Sequence, residues 1–313
     1  MQLDIRSNNI AFLLVASAFL LARCAELPTS ATTGSEKLYI VTTTGMIEDA
    51  VKNIAGDLVK TEALMGPGVD PHLYKATHGD LSRLNQADAI FYNGLHLEGK
   101  MGEVLHKLAH RKPVTAVAEA IPQARLLKAV GSIDAYDPHV WFDVQLWTIV
   151  VEEINYQLQR LDTANAPTYQ QNTKTYINKL NQLHLFVSQS IATIPPSQRV
   201  LITAHDAFEY FGRAYNIEVR GLQGISTVSD FGLKDIVAIV DFISKKKIKA
   251  VFVESSVPKR AIEAVVTGCE EQGHGVKIGG TLFSDAMGDD QTFEGTYLGM
   301  VTTNVNTIVN ALR

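Results

Sequence analysis

The chain reads as an α/β protein: two lobes, each a mainly parallel sheet flanked by helices, joined by one long rigid connecting helix. Three observations predict this. Short β-branched runs alternate with helix-period segments on both sides of the middle of the chain. A long helical pattern near residues 166–195 has no strand beside it. The 313 residues, 46% hydrophobic and 19% charged, suit two globular domains of ordinary size.

The first folded element is YIVTTT at 39–44, a β-branched run that predicts a strand. Ile47, Val51 and Ile54 stand at helical spacing and predict a helix over 46–55. VKTEALM (59–65) predicts a second strand, stopped by Gly66-Pro67-Gly68. A helix is expected over 78–86, a strand at AIFYN (89–93), a helix over 99–110 and a strand at PVTAV (113–117). The pattern then changes to helices over 143–161 and 167–193. The second carries Tyr169, Tyr176, Leu180, Leu183 and Val187, and Pro195-Pro196 ends it. Alternation resumes with RVLITA (199–204), a helix over 206–215 and IEVRGL (217–222). A helix over 232–246, AVFVE (250–254), a helix over 258–272 and VKIGG (276–280) follow, and a last helix runs from about Phe293 to Leu312. The expected domains are an N-terminal lobe at 38–165, the connecting helix at 166–195 and a C-terminal lobe at 196–313.

The N-terminus has its own logic. Residues 1–9 are polar, and residues 10–22 (IAFLLVASAFLLA) are apolar with one Ser. That length suits a signal peptide and is short for a bilayer span. Cys24 follows in L-A-R-C, which resembles a lipoprotein signal, although Arg23 stands where that pattern prefers a small residue. Residues 1–24 are therefore expected to be a signal peptide and 25–37 a linker. The expected location is extracytoplasmic, with a lipid anchor at Cys24. Two cysteines, Cys24 and Cys269, exclude a disulfide framework. With 28 basic and 33 acidic residues the net charge is −5, which argues against a nucleic-acid partner.

Nine histidines occur. His106 and His110 sit at i, i+4 on an expected helix, a spacing that can hold zinc, but their flanks read as an exposed face. His78 falls near a helix start, and His184 and His274 near surfaces. His96 lies in N-G-L-H-L-E, just after a strand, where loop residues reach clefts. Three others stand apart by position. His72 follows a strand, His205 follows another, and His139 precedes a long helix. In open α/β sheets ligands bind outside the carboxyl ends of strands. His72 and His139 each close an Asp-Pro-His tripeptide. Proline fixes its own φ and restricts the residue before it, so each turn is stiff, which suits metal ligation. The Asp carboxylate of such a turn would accept either a backbone amide or the ligating imidazole itself. Asp285, in L-F-S-D-A-M-G after the last strand, is the fourth candidate, with a turn or helix-capping role as the ordinary alternative.

Five motifs then occur in order: G-P-G-V-D-P-H-L-Y, Y-N-G-L-H-L-E, D-P-H-V-W-F-D, T-A-H-D-A-F-E-Y-F and F-S-D-A-M-G. With these motifs the chain, from about Leu38 to Arg313, resembles the metal-specific solute-binding proteins of ABC importers, of the TroA/ZnuA/PsaA type. The TroA-like zinc/manganese members are closest in pattern. The resemblance implies a metal site of His72, His139, His205 and Asp285, two ligands from each lobe. It also implies zinc as cargo, with manganese the other physiological option. Manganese-dedicated relatives often carry Glu at the position of His205, and a third imidazole shifts the site towards zinc. Dedicated zinc members commonly carry a His-rich loop that this chain lacks. The implied partners are an ABC permease and, through it, a cytoplasmic ATPase; the protein would be a monomer and not an enzyme. No GxxxxGK[S/T] loop is present to bind ATP.

The principal rival is a zinc-dependent hydrolase with Glu254 as general base, although Glu254 would equally orient a ligand. A surface adhesin or interaction protein is the second rival. A haem or siderophore carrier, which needs a larger pocket, is the third.

Overall fold

The computed structural model describes residues 37–129, 135–228 and 231–313. The expected signal peptide, Cys24 and all of the linker except Lys37 lie outside the described residues. Residues 37–313 form one compact unit.

Its first half is built on strands β1 (Tyr39–Thr44), β2 (Lys60–Met65), β3 (Ala89–Tyr92) and β4 (Val114–Ala116). They make one sheet in the order β2-β1-β3-β4, parallel throughout. Helices α1 (Gly45–Ala55), α2 (His78–Gln86) and α3 (Gly102–Ala109) connect them. β1 is buried along nearly its whole length, as its unbroken β-branched run requires of a strand covered on both faces. α2 begins with a capping box: Thr77 Oγ1 accepts from the Asp80 amide, and Asp80 accepts from the Thr77 amide. α3 starts three residues later than the expected 99. The stretch before it is a tight turn, with Gly94, Leu95 and His96 all in the left-handed region.

Helices α4 (Val144–Leu161) and α5 (Ala166–Ala192) follow. α5 has 27 residues and is ~40 Å long at 1.5 Å per residue. Tyr169, Thr173, Tyr176, Leu180, Leu183, Val187 and Ile191 recur every three or four residues and bury one stripe. The helix packs on α4 and α1 from the first half and on the C-terminal helix α9 (Tyr297–Leu312). Two polar bonds add to this. Tyr176 Oη donates to Asp49 at 2.9 Å, and Asn172 donates to the Ile54 carbonyl at 2.9 Å. A helix held on several sides in this way is a stiff link.

The second half carries β5 (Val200–His205), α6 (Glu209–Tyr215), β6 (Glu218–Gln223), α7 (Leu233–Lys246), β7 (Ala250–Glu254), α8 (Arg260–Glu271) and β8 (Lys277–Leu282). All pairings are parallel, as expected, but they form two two-stranded ladders, β5-β6 and β7-β8, with β5 beside β7. The β7-β8 register shifts between Val251 and Phe252. β5 runs to His205, one residue beyond the expected end. The helix expected from Phe293 is a single 3-10 turn, Phe293–Gly295, followed by α9, because Thr296 is extended and its hydroxyl caps the Gly299 amide. One buried apolar cluster runs through both halves, from Ile40 and Phe91 to Phe208, Phe252 and Leu282.

Candidate metal centre

Four separate segments deliver the site. After β2 the chain turns at Gly66-Pro67-Gly68, with Gly68 at φ 70°. Asp70 Oδ1 then accepts the amides of His72 (2.8 Å) and Leu73 (3.4 Å). This is the turn that Asp-Pro predicts, and it presents His72 inward. The second copy behaves alike at the backbone, with Asp137 Oδ1 accepting the His139 amide at 2.9 Å. The same oxygen also lies 2.7 Å from His139 Nδ1. Asn93 donates to the Pro138 carbonyl at 3.1 Å. The loop of Asn93 is in turn held by buried Glu98, which accepts from Thr43 Oγ1, the Asn93 amide and the Gly94 amide. Tyr210 Oη donates to the Asp137 carbonyl at 2.9 Å.

His205 closes β5. Its amide donates to Glu254 Oε1 at 2.8 Å, and its Nδ1 lies 2.5 Å from Glu254 Oε2. Glu254, at the end of β7, therefore holds the ring from behind. This placement fits the ligand-orienting role that the sequence offered for it beside that of a base. β6 passes so close that a Cβ on Gly221 would stand 2.5 Å from the Asp206 backbone nitrogen, so only glycine fits there.

Asp285 follows β8. Asn304 on α9 brackets the loop, accepting from the Phe283 amide (2.9 Å) and donating to the Phe283 carbonyl (2.7 Å). Trp141 Nε1 donates to the Ser284 carbonyl at 3.0 Å, tying the His139 loop to the Asp285 loop.

These elements bring His72, His139, His205 and Asp285 together, with one donor atom from each within 4.8 Å of all the others. Asp285 Oδ1 lies 3.4 Å from His139 Nε2, and Oδ2 lies 3.3 Å from His205 Nε2 and 3.9 Å from His72 Nε2. The Nε2 atoms of His72 and His139 face each other at 3.3 Å. All four residues are buried, and both Asp285 oxygens and His205 Nε2 lack a hydrogen-bond partner of good geometry. Buried polar atoms without partners are costly. Three nitrogens and a carboxylate aimed at one point are a cage for a borderline divalent cation.

The electrostatics agree with that reading. Burial opposes the charge of Asp285, but His205 and His139 outweigh it and hold the carboxyl well below its usual range. Burial likewise opposes the charged form of His205, and Glu254 and Asp285 outweigh it, raising that imidazole well above normal. The site thus carries a carboxylate charge that a cation can replace protons in balancing.

The remaining histidines stay apart. His78 opens α2 at the surface. His106 and His110 are exposed, with ring centroids 5.0 Å apart. His184 meets Tyr215 Oη at 3.2 Å, and His274 Nε2 meets the Ile248 carbonyl at 2.8 Å. His96 is exposed and lines a cavity of about 540 Å³ with Tyr92, His106 and Glu119. It does not reach the four donors. Sequence reasoning missed Asn93, Glu98, Trp141, Tyr210, Thr227 and Asn304. Four of them, Asn93, Glu98, Trp141 and Tyr210, lie within motifs already singled out around His96, His139 and His205; the signal there belonged to the neighbours of the histidines.

Comparison with known proteins places the chain among relatives. Residues 40–311 match the family described as "ZnuA: Zinc-uptake complex component A periplasmic". The chain is 51% identical over 278 residues to the manganese-binding lipoprotein MntA of Bacillus subtilis, covering 89% of this chain and 90% of that one. It is 50% identical over 276 residues to the zinc-binding protein TroA of Treponema pallidum, covering 88% and 89%. The solved structure of that periplasmic zinc-binding protein superposes with a TM-score of 0.86 at 50% identity, covering 88% of this chain and 99% of the other.

Proposed function

The chain belongs to the zinc-uptake component A family, and from that premise we propose that it captures one divalent transition metal and hands it to an ABC permease. It is a metal-binding, solute-binding component of an importer and not an enzyme. It works outside the cytoplasm. His72, His139, His205 and Asp285 are its ligands, and the ion is cargo. The observation that carries the reading is the convergence of four buried donors, from four separate segments, within 4.8 Å.

Zinc is the favoured cargo. The two relatives near 50% identity are named for different metals, so names do not decide. The donor set supports zinc: three imidazoles and one carboxylate suit it better than manganese, which prefers more oxygen. Glu254 sits behind His205 on Nδ1, a placement that supports ring orientation over the role of a hydrolytic base.

Capture replaces the ion's water with neutral imidazoles and the Asp285 carboxylate. The stiff α5 between the segments 38–165 and 196–313 favours small loop movements over a wide hinge. Release follows docking on the permease, with an ATPase on the far side of the membrane driving the cycle. No helix among the described residues is long and apolar enough to cross a membrane. The protein is a monomer, cleaved before Cys24 and tethered by a lipid on that residue. Mass spectrometry of the mature N-terminus checks the tether.

Elemental analysis of protein isolated from its host tests the whole reading, beside a His205→Ala variant. The expected result is roughly one metal per chain, mostly zinc, and a loss of affinity of about 100-fold or more in the variant. Unchanged metal content in His205→Ala would sink the ligand assignment.

A further inference from the structure

We propose that Thr227 is a positioning residue that holds His72 in the site and sets how fast the metal leaves; this rests on the function proposed above. The four donor side chains are not held alike. The rings of His139 and His205 are backed on Nδ1 by Asp137 and Glu254. Asp70 grips only the backbone amide of His72. Among the four donor side chains, that of His72 alone has accessible surface, 3% against 0% for the others. Leu73 beside it is 44% exposed. His72 is thus the donor side chain nearest solvent among the four.

What restrains His72 comes from the other half of the chain. Asp70 Oδ2 accepts a hydrogen bond from Thr227 Oγ1 at 2.6 Å, across 157 residues. Thr227 lies in the loop after β6, and its carbonyl accepts from Gln223 Nε2 at 2.7 Å. Gln223 closes β6 and is the register partner of His205. A path thus runs from one ligand to another: His205 pairs with Gln223 across the β5-β6 ladder, and hydrogen bonds join Gln223 to Thr227, Thr227 to Asp70 and Asp70 to the His72 amide. It fixes the distance between a ligand of the first half and a ligand of the second. The two oxygens of Asp70 have separate tasks. Losing the Thr227 bond leaves the turn that shapes His72 intact and removes only its anchor to the second half.

The test is zinc release into excess chelator, followed by stopped flow, for the full chain and for Thr227→Val, Thr227→Ser and Gln223→Met. Thr227→Val keeps shape and loses the donor. Its dissociation rate should rise on the order of tenfold, the scale of one hydrogen bond to a carboxylate, with the association rate nearly unchanged. Thr227→Ser should restore slow release, which a purely packing role would not do. Gln223→Met, cutting the preceding link, should shift release in the same direction by less. Melting of the metal-free variants separates folding from release. Should Thr227→Val fold poorly, Gln223→Met and Thr227→Ser decide alone. Normal binding with unchanged release in Thr227→Val, or equally fast release in Thr227→Ser, overturns the inference and leaves the proposed function standing. An unmodified chain that binds neither zinc nor manganese overturns both.

Discussion

The two Asp-Pro-His turns share three residues and end in different surroundings. In the first, Asp70 spends one oxygen on backbone amides and the other on Thr227. In the second, Asp137 places one oxygen on both the amide and the ring of His139. The charges diverge accordingly. Burial pushes His72 down to about 3, opposed by Asp285 and reinforced by the other two imidazoles. Burial pushes His139 the same way, yet Asp137 and then Asp285 outweigh it and bring it up to about 9. At neutral pH, His72 is a neutral donor on a lightly held ring. His139 is oriented by Asp137 and carries a proton, which a metal bound there as proposed would have to displace. A short motif sets a backbone turn; what its carboxylate does next depends on what folds against it.

The largest expected effect separates the two aspartates. Asp137→Asn should lower zinc affinity by about 10- to 100-fold, the usual cost of losing a carboxylate behind a ligating imidazole. Asp70→Asn should cost about threefold, since the amide oxygen still accepts from His72 and Thr227 keeps a partner. Chelator-competition calorimetry measures both, and equal losses would erase the distinction between the turns.

Proton release sharpens it. At pH 7.5 zinc should displace about two protons, from His139 and His205, and none from His72. Calorimetry in buffers of different ionisation heat counts them. Asp137→Asn should lower the count by about one.

Stability of the metal-free protein should then respond to pH in opposite senses at the two turns. The folded value of His139 is above its unfolded value, so its contribution is complete below about 6.5 and is lost as pH rises through about 9. His72 has a depressed value, so it favours the fold above about 6.5 and penalises it as pH falls towards 3. Melting across pH should show Asp137→Asn flattening the alkaline limb and His72→Gln the acid limb; the same limb changing in both would contradict the assignment. The smallest effect is expected from the prolines. Pro71→Ala and Pro138→Ala should each weaken zinc binding by about two- to fivefold through a looser turn. The larger loss belongs at Pro71, where no carboxylate orients the ring.

Much of this was legible in the residues. Tyr39–Thr44 is a strand over the range its β-branched run implies, and Pro195-Pro196 marks the end of α5 within a few residues. The two Asp-Pro-His turns announced His72 and His139 by local stiffness alone. His205 and Asp285 carried no comparable local mark: their places after strands made them candidates, and the family resemblance raised them above the ordinary alternatives. The late start of α3 and the interruption before α9 came from turn and cap geometry that periodicity does not register. The division of the second half into two ladders also came from contacts that no single segment encodes.

Local preference is a property of neighbours in the chain, so the sequence by itself determined the strands, the helices, the parallel α/β plan and the stiffness of both turns. Only the tertiary structure decided which carboxylate stands behind which imidazole. It alone brought Trp141 to Ser284, Asn93 to Pro138 and Thr227 to Asp70, across 143, 45 and 157 residues. Hydrogen bonds and charge shifts depend on distance and burial, and those exist only once the distant segments share one interior.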